Sequence, residues 1–95
     1  MSERTIVTGA SRPSLPKHVR LRHDEQRGRW VMLAPERVLL PDEIAVEILH
    51  LCDGKATVDD IAGALAQDYS APEDEIRADV IEVLQNLLDK GFLSA

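Results

Sequence analysis

Val31-Met32-Leu33-Ala34-Pro35-Glu36-Arg37-Val38-Leu39-Leu40-Pro41-Asp42-Glu43-Ile44-Ala45-Val46-Glu47-Ile48 is the stretch on which the fold turns. Before Pro41 the chain is rich in strand-forming residues and broken by Pro35, which cannot donate to a ladder. After Pro41 the apolar spacing changes from two to 3.6. Ile44, Ala45, Ile48, Leu51 and Cys52 then form one helical stripe. Strands therefore come first and helices second.

Upstream, Val19 to His23 alternates Val, Arg, Leu, Arg, His and reads as a half-buried strand. Asp24-Glu25-Gln26-Arg27-Gly28 is a polar hairpin loop ending in glycine. Arg29–Ala34 is the second strand, and Arg37–Leu40 a short third one. Residues 1–16 mix Ser, Thr, Gly and Pro without a period. They are expected to be a flexible N-terminal arm that packs late or not at all, leaving 17–95 as one domain.

Downstream, Pro41 suits the first turn of a helix, followed by Asp42 and Glu43 at the positive end of its dipole. Asp53-Gly54 is expected to stop that helix. Thr57-Val58-Asp59-Asp60 resembles a capping box, and Val58, Ile61, Ala62, Leu65, Ala66 and Tyr69 form a second stripe. Ser70-Ala71-Pro72-Glu73 reads as another start. Ile76, Val80, Val83, Leu84, Leu87 and Leu88 form the third stripe, capped by Gly91, with Phe92-Leu93 folding back on the core. The fold class is α+β, with a three-stranded antiparallel sheet followed by three helices in a winged helix-turn-helix-like arrangement.

The chemistry this chain lacks narrows its function. His18, His23 and His50 stand in no H-x-x-x-H spacing, and Cys52 is the only cysteine, so a zinc site lacks ligands. Neither phosphate-binding glycine motif occurs. Cys52 sits on an apolar stripe and reads as a small hydrophobe. Glu73-Asp74-Glu75 suits a helix start through the dipole alone. No apolar run approaches the roughly 18–20 residues of a membrane span. Met1 to Pro16 has no signal-peptide core, and the lone cysteine fits a reducing compartment, so the cytoplasm is expected.

The charge of −6 is unevenly spread. Residues 1–40 carry eight Lys/Arg and four Asp/Glu; residues 41–95 carry three and thirteen. A winged helix that binds DNA needs cations on its recognition helix. Residues 58–69 carry only Asp59, Asp60 and Asp68, and the third helix is strongly acidic. A nucleic-acid module is the alternative reading, resting on Lys17, Arg20, Arg22, Arg27, Arg29 and Arg37. A homo-oligomeric structural module is a third. An open sheet leaves edges with unpaired N–H and C=O groups, to which an extended peptide can add as a strand. Arg37-Val38-Leu39-Leu40 is such an edge if the third helix packs beside it.

Several blocks carry a family resemblance: Val19 to Asp24, Arg29 to Val38, Ile48-Leu49-x-Leu51-Cys52-Asp53-Gly54, Asp79-Val80 through Leu84, Leu87-Leu88 and Lys90-Gly91-Phe92. Together they resemble the PqqD family over residues 12–93. The resemblance implies a peptide chaperone of pyrroloquinoline quinone (PQQ) biosynthesis, with no catalysis, no cofactor and no nucleic-acid or membrane partner. It implies binding of the precursor peptide PqqA and its presentation to the radical S-adenosylmethionine enzyme PqqE, which cross-links a Glu and a Tyr. It implies a winged helix-turn-helix fold. It also implies a peptide site of Arg37, Val38, Leu39 and Leu40 facing Ile76, Asp79, Val80, Val83 and Leu87. Trp30, Pro35 and Gly54 look like fold residues: a packing anchor, a strand stop and a helix cap.

Overall fold

A computed structural model describes residues 5–95. Strands β1 (Arg20–Asp24), β2 (Arg29–Ala34) and β3 (Arg37–Leu39) form one antiparallel sheet in the order β1-β2-β3, with both outer strands at edges. Helices α1 (Glu43–His50), α2 (Val58–Tyr69) and α3 (Glu73–Asp89) follow. The β1–β2 loop is set by Asp24, whose Oδ1 accepts from the Gln26 and Arg27 N–H groups at 3.1 and 3.3 Å, and by Gly28 at φ 65°. Pro35-Glu36 makes the tight β2–β3 turn, with Glu36 at φ 60°.

The pleat sorts the sheet as the alternation predicts. Leu21, Met32, Ala34 and Leu39 face the helices and join a core of Ile48, Val58, Ile61, Val80, Leu84 and Leu87. Trp30 shares that face. It is gripped edge-on by His23 from β1 (5.1 Å) and His50 from α1 (4.8 Å), so it anchors α1 to the sheet.

Two local starts and stops match the sequence reading. Thr57 and Asp60 form the reciprocal capping box of α2. Gly91 at φ 83° ends α3 in a Schellman arrangement: its N–H reaches Leu88 O at 3.0 Å, and that of Phe92 reaches Leu87 O at 2.9 Å. Phe92 and Leu93 return to the core.

Several expectations need correction. In α1 the buried face is Ala45, Val46, Ile48 and Leu49, while Ile44 is 53% exposed and Leu51 is exposed as well. Apolar residues occupy most positions of this short helix, so several stripes fit its sequence and only packing selects one. Pro41 lies ahead of the helix. Asp42 is the N-cap, accepting from Ala45 N–H at 2.8 Å. At its far end α1 is capped by Leu51. Gly54, at φ 80°, lies beyond that cap, and its N–H donates to Pro13 O at 3.0 Å. Ser70 does not start α3 but ends α2 in the left-handed region at φ 50°. The N-cap of α3 is Pro72, without a side-chain bond. Tyr69 is exposed, its hydroxyl donating to a Glu47 carboxylate oxygen.

Residues 5–16 of the expected arm pack on the fold, while residues 1–4 lie outside the described residues. Val7 is buried to 3% and Pro13 fully. Carbonyls of Gly9 and Ser11 accept from the free first-turn N–H groups of Asp59 (3.0 Å) and Val58 (2.9 Å), so this segment satisfies the start of α2. Ser14 bridges both Asp53 and Ser94. A Cβ on Gly9 would lie 2.6 Å from a carboxylate oxygen of the exposed Asp59 side chain, which would have to swing aside.

Candidate functional site

Beside the β3 edge, α3 forms the second wall of an open groove of about 910 Å³. Leu39, Leu40, Pro41 and Ile44 line one side. Ala78, Asp79, Ile81, Glu82, Val83 and Leu87 line the other. The floor is apolar and the rim acidic, with Asp42, Asp79, Glu82 and Asp89 against Lys90. An incoming segment thus meets an apolar trough in a negative field.

Backbone polarity of β3 follows from its register. Ala34 and Arg37 flank a two-residue turn, so they form a hydrogen-bonded pair, and so do Met32 and Leu39. Leu33 and Val38 form the non-bonded pair between them. The Val38 N–H and C=O therefore point away from β2, toward the open side. The Leu39 N–H, by contrast, is committed to Met32 and does not face the open side.

Arg37 clasps one end of the groove. Its guanidinium donates to Lys90 O at 2.6 Å and lies 4.6 Å from the centre of the Phe92 ring, tying β3 to the end of α3.

Of the residues expected at a peptide site, Leu39, Leu40, Asp79, Val83 and Leu87 meet in this groove. Arg37 is its clasp, and Val38 supplies the open edge with a side chain 65% exposed on the outer sheet face. Ile76 packs against the core, outside the lining. Val80, at 1% exposure, is a core residue and presents no surface to a ligand. Ile44, Ala78, Ile81 and Glu82 were missed. Ile81 carried a usable signal, because it is apolar yet falls outside the stripe read for α3; Ile44 carried none, because the spacing placed it on the α1 stripe.

The remaining reactive groups stand apart from the groove. Cys52 is buried, and its thiol donates to Ile48 O at 3.2 Å. Desolvation, reinforced by the Asp53 charge, pushes its pKa up to about 12 from 9.0. Near pH 8 this leaves roughly a thousandfold less thiolate than a free thiol would have, by the three-unit difference. Iodoacetamide is therefore expected to label Cys52 at least a hundredfold faster in denaturant than in the native protein, read by mass spectrometry. Asp53 moves the other way, its carboxylate held low by N–H groups of Ala56 and Lys55 at 2.8 Å. Among the described residues no three His, Cys, Asp or Glu side chains gather to hold a metal ion. No described helix is long and apolar enough to cross a membrane.

A bare sheet edge, a facing helix and an apolar floor define a small segment-recognition domain. Comparison with known proteins gives it a family. The family model described as Coenzyme PQQ synthesis protein D (PqqD) matches residues 29–93. A Rhodopseudomonas palustris protein named PqqA binding protein is 59% identical over 95 residues, spanning 99% of this chain and 93% of that one. The solution structure of the PqqD truncation of Methylobacterium extorquens PqqCD superposes with a TM-score of 0.84 at 44% identity, covering 99% of this chain and 100% of that one. That protein is described as a functional, stand-alone recognition element for ribosomally synthesised and post-translationally modified peptides. The crystal structure of PqqD from Xanthomonas campestris gives 0.60 at 40% identity, covering 94% and 99%. The chain belongs to the PqqD family.

Proposed function

We propose that this protein is a non-catalytic adaptor of PQQ biosynthesis, working in the cytoplasm, that binds the precursor peptide PqqA in the β3–α3 groove and presents it to the radical S-adenosylmethionine enzyme PqqE. The observation that carries the reading is an unpaired strand edge at Val38 set beside an apolar trough. Relatives covering nearly the whole chain bear the name PqqA binding protein, which supports the choice of peptide. The peptide adds as a fourth strand. It takes main-chain bonds from Val38 and places alternate side chains over Leu39, Val83 and Leu87. Each such bond contributes about 0.5–1.5 kcal/mol net. With a few apolar anchors, and after association costs, affinity on the order of micromolar follows.

Titration of ¹⁵N-labelled protein with a PqqA peptide tests this. The Val38, Leu40 and Val83 amides should shift together, and affinity should weaken little as salt rises. Shifts confined to α2 with the groove silent would remove the proposal. Steep salt dependence with retention on heparin would favour a nucleic-acid role instead.

A further inference from the structure

The helices cover only one face of the sheet. On the other, Val31, Leu33 and Val38 stand in adjacent positions of β2 and β3. Val31 and Leu33 are absent from the side chains packed on the core, although Leu21, Met32, Ala34 and Leu39 on the opposite face all join it. Beside this apolar strip, Arg20 and Arg22 project from β1 directly opposite Leu33 and Val31. Among the described residues neither makes an ion pair; the carboxylate at that end of the hairpin, Asp24, faces Arg27 at 3.9 Å. A chain of net charge −6 thus keeps unneutralised cations, among the described residues, around an apolar strip in which Val31 and Leu33 are half-buried and Val38 is exposed.

We infer that this outer face is a second docking surface, for a protein partner presenting carboxylates around an apolar patch, and that the partner is the peptide-modifying enzyme. The inference rests on the adaptor reading above. Charge selects the partner's sign, because arginine forks bind carboxylates and like-charged surfaces are repelled. The apolar strip favours a protein over a nucleic acid, since phosphate offers Val31 and Leu33 nothing to bury against, and the acidic helices repel a polyanion. Position adds the third reason. Val38 belongs to both surfaces, its backbone to the groove edge and its side chain to the outer face. A peptide paired to that edge sets every second side chain beside the strip, because side chains alternate across a sheet. The bound peptide extends the docking face, so adaptor and substrate are met as one surface.

The test uses the full chain, the PqqA peptide and purified PqqE. The double variant Arg20→Glu/Arg22→Glu and the single variant Val31→Asp are compared with Arg20→Lys/Arg22→Lys. The glutamate pair should bind PqqE at least tenfold more weakly and lose most of the salt dependence of association. Val31→Asp should also weaken enzyme binding, and the lysine pair should retain most of it. Peptide affinity should stay within about twofold in all three, which also reports that they are folded. Undiminished PqqE binding by the glutamate pair overturns the inference while leaving the adaptor reading intact. Equal loss of peptide and enzyme binding overturns it as well. No PqqE binding by the parent protein removes the adaptor reading and this surface with it. Retention of the parent, but not the glutamate pair, on duplex DNA with no PqqE binding assigns the face to nucleic acid.

Discussion

Val38→Pro is expected to weaken PqqA peptide binding by roughly 5- to 150-fold while the domain stays folded. The register leaves the Val38 N–H outside the β2–β3 ladder, so proline there deletes no internal bond. Edge strands tolerate proline for that reason. The lost partner is the carbonyl of the incoming peptide, and an acceptor left unsatisfied at a half-buried site costs about 1–3 kcal/mol, which sets the fold-change. Leu39→Pro behaves differently, because it removes the bond to Met32 and breaks the hairpin itself. Calorimetric titration paired with far-UV circular dichroism separates the two variants. Parental affinity in a folded Val38→Pro protein would show that the edge is not where the peptide pairs.

Leu84→Ala is expected to destabilise the domain by about 2–5 kcal/mol. Leu84 has no exposed surface and sits in the C-terminal half of α3, packed in the central cluster. A domain of 95 residues has roughly 5–14 kcal/mol in all, at about 0.05–0.15 kcal/mol per residue. The melting temperature should therefore fall by roughly 8–40 °C, at about 4–8 °C per kcal/mol. Ile81→Ala, at a half-buried groove position three residues earlier, should lose much less stability. Urea unfolding followed by circular dichroism measures both. A loss under 1 kcal/mol for Leu84→Ala would mean that α3 is held by something other than this cluster.

These two sites differ in how far the sequence announced them. Leu84 follows from periodicity, since the α3 stripe runs long enough to fix its own phase. The sheet was legible for a similar reason: Arg20 and Arg22 alternate with Val19 and Leu21, so inside and outside separate by inspection. The caps at Thr57-Asp60 and Gly91 were legible because their bonds span only three to five residues. What failed depended on distant partners. The phase of α1 needed the sheet to choose among Ile44, Val46 and Leu49. Ser70 carries a capping side chain, but the short link before Pro72 placed it in the left-handed region at the end of α2. The packing of Val7 and Pro13 rests on carbonyls meeting the start of α2 some fifty residues on, and no local pattern encodes that. Of the groove, Leu39, Leu40, Asp79, Val83 and Leu87 were anticipated, because β3 and α3 were each recognisable. Val80 was misplaced because choosing one helical face does not say how deeply each residue of it lies.

The Arg37 bond to Lys90 gives the groove a fixed end and a free end. From that bond the chain runs past Leu39 and Leu40 to Ile44, while the facing wall runs back along α3 toward Ala78. The spacing of the two walls at the fixed end is therefore set by a side chain of the domain itself, before any segment arrives.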